Sequence, residues 1–153
     1  MFVKLNLPEV KLDLRSKNDR IYVWDDIRKK ELLLTPEEWV RQHVVHFFIT
    51  ETGTPKGLVA LEKTLKFKDK KRRFDMVIYG KDTLPKLLVE CKAPDVPITN
   101  DTIFQIAHYN NVLNVDYLLI TNGLSHCMLL INHKTGKLDV LEEIPEYKTF
   151  AGS

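Results

Sequence analysis

At 153 residues and 17.8 kDa the chain has the length of one compact domain, residues 1–153, with a single core. With 44% hydrophobic and 29% charged residues it has an ordinary globular composition, and no apolar run nears the roughly 20 residues that cross a bilayer. A net charge of +2 names no partner, and Cys91 and Cys127 are too few to set a disulfide framework.

Met1-Phe2-Val3-Lys4 opens neither a long apolar core nor a cleavage site, so no signal peptide, no membrane association and a reducing cytoplasmic location are expected. Val10, Leu12 and Leu14 alternate with charged residues, as do Ile21 and Val23, with the turn signal Ser16-Lys17-Asn18-Asp19 between them. This predicts an N-terminal hairpin. Thr35-Pro36-Glu37-Glu38 then opens a helix to about Thr50: Thr35 caps, Pro36 suits the first helical position, and Glu38 completes a capping box. Trp39, Val40, His43, Val44, Phe47 and Phe48 form its buried stripe, and Glu37 with Arg41 reads as a surface pair one turn apart. Gly53 is a plausible stop.

Three strands follow: Gly57 to Phe67, Arg73 to Tyr79 and Pro85 to Lys92, with turns at Asp69 to Arg72 and Gly80 to Leu84. A second helix runs from Asp101 or Thr102 to about Leu113. Tyr117 to Thr121, Cys127 to Ile131 and Leu138 to Val140 complete the strands, with Asn122-Gly123 as a turn. The order predicts an α/β fold: a central mixed β-sheet flanked by helices, with the N-terminal hairpin beside it.

The chemistry concentrates where the second and third of these strands meet. Residues two apart on a strand share a face, so Glu90 and Lys92 point together. If Gly80 lies opposite Pro85, Asp75 falls across from Glu90, with Cβ atoms about 4.5–5.5 Å apart. Asp75 is then expected to share its face with Val77 and Tyr79, opposite Phe74, Met76 and Ile78. Two such carboxylates repel unless a cation lies between them, and hard oxygen ligands suit Mg²⁺ or Mn²⁺. The backbone carbonyl of Cys91 is a further ligand candidate, and Lys92 can orient a water or stabilise charge on a phosphate. The competing reading is a cross-strand salt bridge of Lys92 with both acids.

Lys63, Lys66, Lys68, Lys70, Lys71, Arg72 and Arg73 crowd one segment, which suits a nucleic-acid backbone or, alternatively, a solvated hairpin tip. Gln105 and Tyr109 share a face of the second helix and can reach a phosphate; the alternative for Tyr109 is a buried ring with its hydroxyl at the rim. The five histidines show no zinc-ligand spacing.

Arg73-Phe74-Asp75, Val89-Glu90-Cys91-Lys92-Ala93-Pro94 and Gln105-Ile106-Ala107-His108-Tyr109-Asn110 together resemble the PD-(D/E)xK nuclease superfamily. Asp26-Ile27-Arg28-Lys29-Lys30, Thr35-Pro36-Glu37-Glu38-Trp39-Val40-Arg41-Gln42 and Leu119-Ile120-Thr121-Asn122-Gly123 resemble the N-terminal domain family of type I restriction enzyme R subunits. The resemblance implies magnesium-dependent DNA cleavage, with Asp75 and Glu90 as metal ligands, Lys92 as the catalytic lysine, and Gln105 and Tyr109 on the substrate. It also offers Glu38 as an additional acid from the first helix. Phe74 stands where the superfamily's proline would be, and no Gly-x-x-x-x-Gly-Lys-Thr motor motif occurs.

The expected function is therefore metal-dependent DNA phosphodiester hydrolysis by a restriction-type nuclease domain without its own helicase motor. Lys70, Lys71, Arg72 and Arg73 would hold DNA, a helicase or specificity subunit would be the partner, and double-strand cutting would favour a homodimer. The alternative is a silent nucleic-acid-binding module or a subunit of a restriction or repair complex.

Overall fold

Local chemistry starts the first helix where the cap predicts. In the computed structural model, which describes residues 2–152, the Thr35 hydroxyl accepts from the Glu38 N–H at 3.0 Å and Pro36 is the first residue of α1 (Pro36–Thr50). The reciprocal half of the capping box is absent. The Glu38 carboxylate turns instead to Arg28, Arg41 and Gln42. Before α1 stand β1 (Leu14–Lys17), β2 (Arg20–Asp25) and β3 (Lys30–Leu33), a three-stranded antiparallel sheet in the order β1-β2-β3. The predicted hairpin is thus shorter than expected, since Val10 and Leu12 precede its first strand, and it gains a third strand.

After α1 come β4 (Val59–Phe67), β5 (Lys70–Tyr79), β6 (Pro85–Cys91), α2 (Asn100–Leu113), β7 (Tyr117–Thr121), β8 (His126–Ile131), β9 (Leu138–Leu141) and a short α3 (Tyr147–Ala151). The six strands form one sheet in sequence order. Among the described residues only β6 and β7 are paired in parallel, and α2 joins them. The β4–β5 turn lies at Lys68 and Asp69, not at Asp69 to Arg72, so Lys70, Lys71 and Arg72 are strand residues.

The sheet divides the interior in two. On one face Val40, Val44 and Phe48 of α1 and Phe150 of α3 pack on Met76, Ile78, Leu87, Val89 and Cys91. On the other, Ile106 and Ala107 of α2 pack on Phe74, Val77, Leu88, Leu118 and Ile120. Covered on both sides, β6 reads as a near-continuous apolar run. Gly123 permits one close approach: its φ is +85°, and a Cβ there would lie 2.7 Å from Leu5 Cδ2. The N-terminal segment docks at that point, with the Asn6 N–H donating to the Gly123 carbonyl at 2.8 Å.

Strict alternation fails once, at the predicted site. Met76 packs toward α1 but Phe74 packs toward α2, against the expected shared face. The β4–β5 ladder lacks the Glu62–Asp75 pair, and Glu62 has a φ of +52°. This local irregularity turns the Asp75 side chain toward α1 and Arg41 rather than to the Val77 face.

Candidate functional site

The candidate site forms where the β5–β6 ladder ends. The pairing runs Ile78↔Leu87, Val77↔Leu88, Met76↔Val89, the register expected from the sequence. It is reached through an irregularity in which Tyr79, rather than Gly80, pairs with Pro85. The next pair would be Asp75 and Glu90. Instead of a ladder bond there, the Asp75 carboxylate accepts from the Cys91 N–H through Oδ2 at 2.7 Å. Its other oxygen, Oδ1, accepts from Arg41 Nη2 at 2.8 Å.

Glu90 has a different cation. Its Oε1 lies 3.4 Å from Arg72 Nη1. The Arg72 guanidinium is sandwiched between two rings, 4.8 Å from the centroid of Phe74 and 4.9 Å from that of Tyr109. Arg72 is therefore half-buried within the site rather than projecting from a turn. Burial raises the Glu90 pKa and the Asp75 charge raises it further; Arg72 and Lys92 offset only part of this, leaving it at about 7. Lys92 is half-buried, and its backbone N–H donates to the Thr121 carbonyl at 2.8 Å. Among the described residues no carboxylate lies within 4.0 Å of its ammonium, so the competing salt bridge to both acids does not form. The Cys91 thiol is buried in the core, and burial with the Asp75 charge pushes its pKa well up, which keeps it protonated.

The largest difference from the sequence reading lies on α1. Arg41, expected on the surface, is buried, because the exposed-pair reading took account of Glu37 alone. Glu37 does pair with it at 3.0 Å, but so do Glu38, Glu62 and Asp75. Burial disfavours the Arg41 charge, and Glu38 and Asp75 outweigh that effect and keep it protonated. Burial and the Asp75 charge raise the Glu37 pKa, with Arg41 and Lys92 opposing, so Glu37 feels the site as well. Glu38 lies deeper, its oxygens held by Arg28, Arg41 and Gln42. Behind it is Asp25, where burial opposes ionisation but hydrogen bonds from Arg28 and Ile27 hold the carboxyl below its ordinary range. The signal for this polar row was present in the sequence: Glu38, Arg41 and Gln42 fall three and four residues apart.

The proposed DNA contacts scatter. Gln105 is exposed on α2 and Tyr109 is half-buried against Arg72. Lys70, Lys71 and Arg73 are exposed on β5. Lys66 pairs across the ladder with Lys71, and Thr64 with Arg73, on one face of the ribbon; Phe67 pairs with Lys70 and Leu65 with Arg72 on the other. The basic segment is thus split between two faces.

As donors, Asp75 and Glu90 offer hard carboxylate oxygens. Each Asp75 oxygen accepts one hydrogen bond and Glu90 Oε1 faces Arg72, and each carboxylate oxygen has a second lone pair that a small hard cation can use. Among the described residues no group of three or more His, Cys, Asp or Glu is arranged to hold a metal ion. The chemistry of the donor pair fits magnesium; closing the site on it requires side-chain adjustment around Arg41 and Arg72.

A mixed six-stranded sheet flanked by helices, with Asp75 on its second strand, Glu90 on its third and Lys92 just past the third, is an α/β architecture. The family model of the type I restriction enzyme R protein N terminus matches residues 36–145, and the chain belongs to that family. Among solved structures it is similar to a candidate nuclease belonging to DUF820 from Anabaena variabilis ATCC 29413, at 12% identity and a TM-score of 0.50, covering 95% of this chain and 87% of that one. That likeness concerns the fold alone. It is also similar to a fragment of a candidate HsdR subunit of a type I restriction enzyme from Vibrio vulnificus YJ016, at 20% identity and a TM-score of 0.49, covering 72% of this chain. The match spans 24% of that fragment's chain. No curated protein matches the chain. Among the described residues no helix is long and apolar enough to cross a membrane.

Proposed function

We propose that the chain is a metal-dependent DNA-cleaving domain of restriction type, within the PD-(D/E)xK group. One observation carries the reading. Asp75 and Glu90 come together at the end of the β5–β6 ladder, each with its own arginine, while Lys92 is near enough to act on Glu90 and has no carboxylate within 4.0 Å among the described residues. A salt-bridged sheet surface would have used Lys92 first. Membership of the restriction R-protein family supports the same substrate, DNA.

In this reading Asp75, Glu90 and the Cys91 carbonyl hold Mg²⁺ or Mn²⁺. The bound cation supplies Lewis acidity to a phosphate oxygen and lowers the pKa of a water. Lys92 orients the attacking water and stabilises the negative charge that develops on the phosphate. Arg72, fixed between Phe74 and Tyr109, is released from Glu90 to contact a phosphate. Gln105, Tyr109, Lys70, Lys71 and Arg73 complete the DNA contacts. Glu38 acts through Arg41 rather than as a direct ligand, because its oxygens are already engaged. A helicase or specificity subunit is the proposed partner for directing cleavage.

A plasmid-nicking assay with Mg²⁺ and Mn²⁺ titrations tests the reading. Wild type should nick only with metal, and Asp75→Ala and Lys92→Ala should abolish nicking while retaining DNA binding. A second reading, a silent DNA-binding module, draws on the arginines that already neutralise both acids. DNA binding without nicking in either metal, on supercoiled, linear and single-stranded DNA, would select it.

A further inference from the structure

The Arg41 guanidinium is the point on which acids from three elements meet. Its Nη2 lies 3.0 Å from Glu37 Oε1 of α1, 3.0 Å from Glu62 Oε1 of β4 and 2.8 Å from Asp75 Oδ1 of β5. Its Nη1 lies 2.6 Å from Glu38 Oε1. Helix spacing accounts for Glu37 and Glu38 alone. Glu62 arrives from the sheet in a left-handed conformation, φ +52°, that a glutamate seldom adopts. Glu38 is also served by Arg28, and Glu62 by the mostly exposed Arg73. Asp75 and Glu37 have no second cation within 4.0 Å among the described residues. A fixed positive charge therefore sits against Asp75, one of the two acids assigned to the metal in the proposed function.

We propose that Arg41 is a positioning residue of the cleavage site, a built-in counter-cation that fixes the Asp75 carboxylate and limits how tightly the site draws a divalent ion. The proposal rests on the nuclease reading above. Its two consequences separate by substitution. Arg41→Lys keeps the charge, but one ammonium cannot take the Nη1 and Nη2 positions together, so Asp75 loses its fixed orientation. Arg41→Gln removes the charge and leaves the acids more attractive to a cation.

The test pairs Mn²⁺ binding, measured with the metal alone by calorimetry and electron paramagnetic resonance, with single-turnover DNA cleavage. Arg41→Lys should bind Mn²⁺ within about twofold of wild type while its cleavage rate falls about tenfold or more, as expected for a misplaced ligand. Arg41→Gln should bind Mn²⁺ at least about threefold more tightly and also cleave more slowly, a combination that simple loss of structure cannot give. If Arg41→Gln does not fold, the split between rate and affinity in Arg41→Lys decides. A lowered melting temperature with unchanged affinity and rate would assign Arg41 to the fold alone and overturn the proposal. Wild type that binds Mn²⁺ and cleaves, beside an Arg41→Lys that matches it, removes only the Arg41 role. Wild type that does neither removes the nuclease reading, and this proposal with it.

Discussion

Burial withdraws water from the Glu90 carboxyl and the nearby Asp75 charge repels its ionised form, so it titrates at about 7 rather than at 4.5. Between those values the folded chain binds more protons at Glu90 than the unfolded chain does. Stability contributed by the protonated form is therefore present at acid pH and is lost as pH rises from about 4.5 through about 7. The full effect is on the order of 3 kcal/mol. Glu90→Gln removes this titration and leaves the other groups in place. Urea unfolding at pH 5 and pH 8 should show wild type losing on the order of 2 kcal/mol more than the variant. Equal pH dependence in the two proteins would mean that Glu90 titrates normally. The same residue illustrates a conflict between fold and proposed chemistry: an anion held in a dry sheet edge weakens the metal-free fold, and a cation bound there would relieve it.

At the scale of elements, the β4–β5 ribbon carries the clearest unexplained cost. Lys66 and Lys71 are direct cross-strand partners, and like charges so placed destabilise a ribbon. DNA binding would account for their retention. Lys66→Gln combined with Lys71→Gln should leave the melting temperature unchanged or slightly raised. It should also weaken binding to a short duplex in EDTA and reduce the slope of log K against log salt by about 2. Anisotropy titrations across NaCl concentrations measure this directly; an unchanged slope returns the ribbon to a solvated role. The elements also mark what the sequence made legible. Thr35-Pro36 located α1 and the apolar run around Val89 located β6; the register that aligns Met76 with Val89 matches the expected one, but through a shift at Ile78–Tyr79 rather than a Gly80–Pro85 pairing. The four-residue β3 and five-residue α3 were missed because such short segments carry no periodic signal of their own. Tertiary contacts hold α3: the Tyr147 hydroxyl donates to the Tyr79 carbonyl at 2.9 Å, and Phe150 packs edge-on against Phe48. Alternation misplaced Phe74 and Asp75 because Glu62 interrupts the ladder, which strand patterning cannot foresee.

Across the whole molecule, the misjudged residue class is the buried charge. The sequence places Arg41 on the surface, whereas Arg41 is buried together with Asp25 and Glu38, and the three join the two sheets; Lys70 and Lys71 are exposed. Asp25 at the end of β2 accepts from the Ile27 and Arg28 backbone N–H groups at 2.8 Å, and pairs with the Arg28 guanidinium at 2.6 Å. Arg28 continues to Glu38 at 2.9 Å, Glu38 to Arg41 at 2.6 Å, and Arg41 to Asp75 at 2.8 Å. The three-stranded sheet is thereby wired to the candidate site through α1. If this row acts as one unit, damaging either end frees the other from most of its energetic value. Asp25→Asn removes a carboxylate that is 1% exposed and should cost about 3 kcal/mol, since it strips Arg28 of one partner in a dry setting. Glu38→Gln should cost a similar amount. The double variant should then fall short of the sum by at least about 1 kcal/mol in a double-mutant cycle from denaturant unfolding. Strict additivity would mean that the N-terminal sheet is merely appended to the domain. Coupling, in contrast, would make the position of β2 an input to the orientation of Asp75, so that Asp25→Asn would slow the proposed cleavage from across α1 without touching the site.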